Sequence, residues 1–507
     1  MKGAGGDGER QAGGGAGTAS PTPRFLAEAC GGRWVANGDS PAASSPLAGI
    51  GLDSRERLDG RGFLAIRGEH RDGHDFLEAA VEAGAACLVV EEAALAAGRR
   101  VPEGVPVFAV SEPRRALAEM ARAWRRRLEG RVIGVTGTCG KTTTKRLLHA
   151  ALASTQRGSA SPKSFNNDLG VPLTLLAAKA DDDYVVVEIG TNRPGEIACL
   201  TEIARPHVGV ITLIGHGHLA ELGSLEGVAA EKSSLLDRLA SPAIAVVRGD
   251  QPVLASAVAS RRGRLGEVIT FGLSSSAEVR LGGRRPLDRG QEIELADGRR
   301  FRLALEGEHN ALNAVAALAV AERLGVAFGA ATAGMASVAP SDHRGEWRTV
   351  GTCNLLDDAY NANPDSMAAA LANAAERLGN QPAAFVLGDM LELGPAGPEL
   401  HRRLGRQAAA MVARLDLRAI VFVGPLSRHA CEAFTQAATG FGGVIEHVET
   451  PTPELAARLE SLLPSGASIL LKASRGIGLD RVGRWLEERA TAPTIETMPA
   501  RVAAPAG

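Results

Sequence analysis

The stretch that decides the fold is RVIGVTGTCGKTTTKRLLHAALA, residues 131–153. It opens with an apolar run of strand character, passes through a glycine-rich turn, and continues into a segment whose apolar spacing predicts a helix. A strand, a glycine turn and a helix start in that order make a place for phosphate. Glycines permit the tight turn, backbone N–H groups can surround phosphate oxygens, and the first helical turn adds a partial positive charge. Gly137, Thr138, Cys139 and Gly140 form the expected cradle; Lys141 is placed to approach the outer phosphates of ATP or GTP, and Thr142 to offer its hydroxyl to magnesium. Thr143 fits the cradle or simple capping of the helix. The usual GxxxxGK[ST] pattern asks for glycine at position 135, where this chain has Val135 and its glycine, Gly134, comes one place early.

Outward from this loop, YVVVEIG at 184–190, HVGVITLI at 207–214 and AIAVV at 243–247 are compact apolar runs separated by helix-length segments. They predict a largely parallel sheet with both faces covered, closed by a helix over 308–325. On the N-terminal side, FLAI, CLVV and VPVFAV alternate with helices expected at 75–84 and 113–128, a small α/β pattern. On the C-terminal side, NLLDD, AAFVLGDM, RAIVFVG and SILLKAS alternate with further helices, bounded by the polar SDHRGEWR at 341–348. The fold class expected is α/β in three domains, 21–128, 129–338 and 339–490, with flexible tails at 1–20 and 491–507.

Composition agrees. At 507 residues and roughly 150 per domain, the chain is too long for one ordinary core. Lys plus Arg is 56 against 58 for Asp plus Glu, a net charge of -2, so no global field favours nucleic acid or anionic lipid. A 45% hydrophobic content excludes a chain disordered throughout. Cys30, Cys87, Cys139, Cys199, Cys353 and Cys431 form no CxxC pair and are too sparse for a disulfide scaffold, which favours a reduced compartment. No apolar run of about 18 residues occurs and the glycine-rich start is no secretory signal. Cytoplasm is therefore the expected location, with peripheral membrane association left open.

Several other residues carry chemistry in their pattern. Glu188 ends an apolar strand, where its carboxylate suits a magnesium ion opposite the loop, a helix cap or a salt bridge. Asn192 and Glu196 read as loop holders. His216 and His218 follow the next strand; zinc is unsupported, because neither HExxH nor a paired CxxC accompanies them. Lys232 lies on the apolar face that Val228, Leu235, Leu236 and Leu239 define by helical spacing, and a buried ammonium is unfavourable unless paired or chemically altered. Snorkelling and modification both answer that. LDSRERLDGRGFLAIRGEHRDGHDF at 52–76 is either a solvated loop or a grip for an elongated polar ligand. In LLDDAYNANPDS, Asp357 and Asp358 suit ribose or metal, and Asn361 or Asn363 a base, while an elaborate turn explains them equally. Asp389, Lys472, Ser474 and Arg475 stand at strand ends suited to a cleft.

GVTGTCGKTT, VEIGTNRPGEI, GHGHLAELGSLEGVAAEK, GEHNALNAVAA, DDAYNANPDS and LGDMLELG occur in one order across about residues 45–485. With DSR at 53–55, DGHDF at 72–76 and SFNNDLGVP at 164–172, this set resembles the Mur ligases, specifically their dipeptide-adding branch. The resemblance implies a central P-loop ATPase domain, a Rossmann-like C-terminal domain and ATP-dependent amide-bond formation in peptidoglycan precursor synthesis, on which cell shape and division depend. Its substrates would be UDP-N-acetylmuramoyl-tripeptide and D-alanyl-D-alanine, its cofactors ATP and Mg2+, with no nucleic acid, no stable membrane insertion and a monomeric chain.

By the same resemblance Lys141, Lys232 and His218 serve catalysis, and Thr142, Glu188, His218 and Lys232 hold metal, Lys232 as a carbamate. Asn310, Arg344, Asp358 and Asn361 contact the nucleotide. Ser54, Arg55, Asp72, His74, Asn166, Asn167, Lys472, Ser474 and Arg475 bind substrate. Departures stand at Cys139, where Asn or Ser is frequent, at Gly217 and Ala220 in the AHLE segment, at Ser234, where a glutamate often follows the modified lysine, and at Ala473 within KGSR. Other readings are a Mur-type ligase for a free amino acid, a P-loop switch or partner-driven ATPase, and a nucleic-acid motor.

Overall fold

The computed structural model describes residues 19–491; all but residues 19, 20 and 491 of the two expected tails lie outside that range. The backbone divides into two units. One holds the described chain up to residue 134 with 156–189 and 199–206; the other holds 135–155, 190–198 and 207 onward.

In the first unit, β1 (Arg33–Ala36), β2 (Ile50–Gly51), β3 (Gly62–Leu64), β4 (Cys87–Glu91) and β5 (Val107–Val110) form a sheet in the order β1-β5-β4-β3-β2. All its pairings are parallel except β1 with β5. Phe63, Leu88, Val90, Val107 and Ala109 meet Leu77 and Ala80 of a short helix in one core. The apolar runs are strands because a sheet between covered faces needs no polar alternation. β6 (Arg131–Thr136), β7 (Gly158–Ala160) and β8 (Tyr184–Glu188) follow in the order β6-β8-β7, and the unit boundary passes within β6. Trp124, on the helix Pro113–Arg125, meets Phe25 edge-on at 5.5 Å and donates its indole N–H to Ala178 O at 2.9 Å. Arg125, buried beside it, donates to Ala204 O and Arg205 O, satisfying carbonyls a helix end leaves open.

In the second unit, β9 (Val208–Ile211), β10 (Ile244–Arg248) and β11 (Glu267–Gly272) are parallel, and β12 (Val279–Pro286), β13 (Gln291–Leu295) and β14 (Arg300–Leu303) continue the order outward. The β12–β13 and β13–β14 pairs are antiparallel, a meander that goes beyond the largely parallel sheet expected. Alternating burial along QEIEL and RFRL shows one face packed and one exposed. The helix Glu308–Arg323 is buried continuously from Ala311 to Ala321, so it presents apolar surface all round. A further helix, Phe328–Ala336, follows it rather than ending the segment there.

The third sheet comprises β15 (Glu346–Val350), β16 (Cys353–Asp357), β17 (Pro382–Gly388), β18 (Asp416–Val423), β19 (Val444–Val448) and β20 (Ser468–Lys472), ordered β15-β16-β20-β17-β18-β19. Only β15 runs antiparallel to its neighbour. Because β20 sits between β16 and β17, the chain reverses direction across the sheet there. The C-terminal ends of these three strands therefore lie side by side, where open α/β sheets place their crevice.

Candidate functional site

The phosphate loop is built by a strand, two glycines and a helix, and each glycine is required. Gly140 has φ 83, in the region where a side chain is disfavoured, and a Cβ there would run into Asn313 Oδ1. A Cβ on Gly137 would meet Thr212 Oγ1. Thr212 Oγ1 donates to Cys139 O at 2.5 Å, while Thr138 Oγ1 donates to Gly215 O and accepts the Gly215 N–H at 2.9 Å. Lys141, first residue of the helix Lys141–Ala153, folds back so that Nζ donates to Gly137 O at 2.8 Å and Thr138 O at 3.3 Å. Thr142 is buried. Behind the loop, Asn313 accepts from Thr144 Oγ1 and donates to Asn310 Oδ1, and Asn310 in turn donates to Glu306 O at 2.7 Å.

Lys232, near the end of the helix Leu225–Ser233, is fully buried, and its Nζ has no hydrogen-bond partner among the described residues. Burial first, and then the nearby positive charge of Lys141, push its pKa down to about 7; Glu231 pulls the other way. A neutral amine is therefore within reach at ordinary pH. Glu231 itself is occupied elsewhere, accepting from Gly195 N–H at 2.7 Å, Ile197 N–H at 2.8 Å and Thr191 Oγ1 at 3.3 Å. Glu196 holds the neighbouring turn through Asn192 N–H at 2.6 Å.

The strand-end crevice of the third sheet is equally dense. Lys472 ends β20, buried, with Nζ 2.7 Å from Asp358 Oδ2 and within 3.2 Å of Asn361 O. Ser474 Oγ donates to Ala362 O and accepts the Leu391 N–H, so three loops share one hydroxyl. The Arg344 guanidinium lies 3.7 Å from the centre of the Tyr360 ring, and Arg475 5.8 Å from the same ring. Asn363 caps the helix Pro364–Leu378, and its amide also meets Cys139 Sγ at 3.1 Å, which joins this crevice to the phosphate loop. Burial raises the Cys139 thiol above its ordinary pKa, which disfavours the thiolate, the nucleophilic form.

Three family models match this chain in order: "Mur ligase family, catalytic domain" over 46–125, "Mur ligase middle domain" over 135–321 and "Mur ligase, glutamate ligase domain" over 343–475. The UDP-N-acetylmuramoyl-tripeptide--D-alanyl-D-alanine ligase of Bacillus subtilis is 31% identical over 451 residues, covering 87% of this chain and 93% of that protein. The chain belongs to the Mur ligase family. The same-named Synechocystis enzyme is 35% identical, with 85% and 90% covered. Among solved structures, MurF from Acinetobacter baumannii superposes with a TM-score of 0.76 at 29% identity, covering 92% of this chain and 98% of that one. MurF ligase from Thermotoga maritima in complex with ADP gives 0.70 at 28%, with 87% and 97% covered. The architecture is thus the three-domain α/β arrangement of the Mur ligases, with a central P-loop domain and a Rossmann-like C-terminal domain.

Within this Mur ligase frame the expected site residues fall into groups. The second unit brings together Gly137, Thr138, Cys139, Gly140, Lys141 and Thr142 around one loop, with Lys232 in electrostatic reach of Lys141. It also groups Asp358, Asn361, Lys472 and Ser474, and sets Arg344 and Arg475 by one ring. His218 is engaged by Glu392, 2.6 Å from its Nδ1. In the first unit, buried Glu188 accepts from Asn166 Nδ2 at 2.9 Å, and Asn167 Oδ1 accepts the Gly170 N–H that opens the next helix. Arg55 is exposed and forked onto Asp53 at 2.8 and 2.6 Å. Between Ser54 and His74 the chain supplies β3 and a helical turn as well as loop. The His74 ring is buried with both nitrogens spent, Nδ1 against Asp72 at 2.6 Å and Nε2 accepting the Glu91 N–H at 2.9 Å, so it braces the turn rather than offering a free edge.

Reading the sequence alone passes over Thr212, Asn313, Glu231, Asp365 and Glu392, each of which has a long-range partner that ties it to the site. No helix among the described residues is long and apolar enough to cross a membrane. Nor do three His, Cys, Asp or Glu side chains gather as a metal cluster among them.

Proposed function

We propose that the chain is an ATP-dependent ligase joining D-alanyl-D-alanine to UDP-N-acetylmuramoyl-tripeptide through an acyl phosphate. The observation that carries the reading is Lys232, a buried amine with no hydrogen bond among the described residues, set near the lysine of a phosphate loop in a chain similar along most of its length to ligases of that name. Such an amine is explained if it is modified. Its neutral form can add to CO2 and release a proton to solvent, leaving a carbamate that reverses the charge at Nζ.

Magnesium fits the donors so produced in the second unit, because the carbamate oxygens and the Thr142 hydroxyl are hard oxygen ligands, with His218 as a further candidate; the Glu188 carboxylate, in the first unit, is a hard oxygen donor of the same kind, given to the metal by the family resemblance. When bound, it would neutralise phosphate charge. The chain's own part is positional. Lys141 and the loop N–H groups, with Thr138, Cys139 and Thr143 in the cradle, hold the terminal phosphates; Asn310, Arg344, Asp358 and Asn361 seat the rest of the nucleotide. A tripeptide carboxylate oxygen attacks the terminal phosphorus, ADP leaves, and the free amine of the dipeptide then displaces phosphate from the acyl carbon. Lys472, Ser474 and Arg475 orient the incoming substrate, while Ser54, Arg55, Asp72, Asn166 and Asn167 hold the UDP precursor in a turn braced by His74.

Residues 21–128 serve the UDP end, 129–338 ATP, and 339–490 the closing step that excludes water. The balanced charge supports a protein without a nucleic-acid partner, the sparse unpaired cysteines support a reduced, cytoplasmic location, and the reading takes the chain as a monomer. The test is mass-resolved product formation and ADP release with ATP, magnesium and UDP-N-acetylmuramoyl-tripeptide, offering the dipeptide, single amino acids or no amine. A pentapeptide product made with the dipeptide alone is expected. Product with a free amino acid, or no product from folded ATP-binding protein, would move the reading to another Mur-type ligase or to a regulatory ATPase.

A further inference from the structure

The segment 215–223 lies directly after β9 and contains a helix of only four residues, Leu219–Leu222, too short to hold itself. Its order comes from outside. On one side Thr138 of the phosphate loop exchanges two hydrogen bonds with Gly215. On the other, Asp365 Oδ2 accepts the His216 N–H at 2.6 Å, the Glu392 carboxylate lies 2.6 Å from His218 Nδ1, and Glu392 O accepts the Ala220 N–H at 3.0 Å. His218 and Glu392 have φ 56 and 62, a left-handed conformation that non-glycine residues keep only where surroundings enforce it. Gly394 extends the approach, since a Cβ there would stand 3.0 Å from Ala220 Cα. A small residue at 220 allows this. The carboxylate beside His218 thus comes from the loop after β17, and not from position 220.

We propose that Glu392 and Asp365 are positioning residues: together they clamp 215–220 and, through Thr138, set the phosphate loop for transfer. The proposal rests on the ligase reading for its consequence, but its geometry can be tested apart. Amide hydrogen exchange of the full chain should show the 215–223 peptide exchanging about tenfold faster in Glu392→Ala and in Asp365→Ala, as loss of a charge-assisted hydrogen bond implies. The peptide covering Ile244–Arg248 should stay unchanged, reporting an intact fold. Glu392→Gln should stay near wild type, because its amide oxygen still accepts from the His218 ring. In ligation, Glu392→Ala should lower kcat about tenfold with little change in KM for the UDP precursor, and Glu392→Gln should restore most of it. Wild-type exchange in both alanine variants would overturn the clamp, as would Glu392→Gln as loose as Glu392→Ala, or a fall in kcat without faster exchange. Should the wild type make no product, the ligase reading falls while the exchange comparison still decides the clamp.

Discussion

Lys232 and Asp389 are both ionisable and both essentially out of water, yet the chain treats them in opposite ways. Asp389, just after β17, accepts from Ser427 N–H at 2.6 Å, Ser427 Oγ at 2.6 Å and Leu426 N–H at 3.1 Å, and its own C=O accepts the Ser474 N–H. Lys232 has no such partner among the described residues. A satisfied buried charge organises the fold around it; an unsatisfied one opposes folding and persists where something else uses it. The contrast separates architecture from chemistry within one unit of one chain.

The strongest way to break it is Lys232→Met, which keeps the apolar stem and removes the amine. Ligation should fall by about three orders of magnitude or more, the scale of losing a group that acts at the transferring phosphate. Unfolding in denaturant should at the same time show a gain of roughly 1–4 kcal/mol, as when apolar groups replace buried charges. An active Met variant, or a destabilised one, would mean that Lys232 is ordinary structure. Asp389→Ala should do the reverse. It strands three donors, so stability should drop by about 2–4 kcal/mol, read from the same denaturation midpoint. A change under about 0.5 kcal/mol would show that Asp389's partners are satisfied without it.

The pH dependence sharpens the same comparison. The folded-state pKa of Lys232 is lowered to about 7, against about 10.4 in an unfolded chain. Between those values the unfolded state binds more protons, so stability rises with pH by up to about 1.4 kcal/mol per unit. Below about 7 the lysine is charged in both states and its full penalty applies; above about 10.4 the penalty is gone. The stability advantage of Lys232→Met over wild type should therefore shrink from pH 7.5 to 9.5. Parallel profiles would show that the buried amine does not titrate, which is what a lasting carbamate would also produce; mass measurement of the intact protein under CO2-depleted buffer separates these.

The same division explains what could be read in advance. GTCGKTT is legible because turn chemistry, helix start and strand lie within a dozen residues, and the covered strands from 131 to 247 announce themselves by apolar runs. The β12–β14 meander is hard to read because VRLGGRRP buries one residue alone and QEIEL and RFRL are short, half-exposed and dense in charge, easily taken for loop. Lys232 is marked by its apolar neighbours, yet Glu231 next to it carries three long-range hydrogen bonds with no local sign. His74 is one polar residue in a polar stretch, and only the position of Glu91, 17 residues on, shows that its ring is spent inside. Local chemistry is written in local sequence; satisfaction of a buried group depends on partners the chain brings from far away.

The smallest effect should be at Cys139, which like Lys232 is a titratable group in electrostatic reach of Lys141 but like Asp389 has a hydrogen-bond partner. Its thiol meets the Asn363 amide at 3.1 and 3.2 Å, and burial raises its pKa above the ordinary thiol value. Serine offers a hydroxyl of nearly the same reach that can both donate and accept there. Cys139→Ser should therefore change ligation by less than about threefold and stability by less than about 1 kcal/mol. Wild type should also react slowly with iodoacetamide at this position under native conditions, read by peptide mass, because the thiolate is the reactive form. Rapid alkylation accompanied by loss of activity would place Cys139 among the unsatisfied groups beside Lys232, and partnership would no longer distinguish the residues that build this loop from those that work in it.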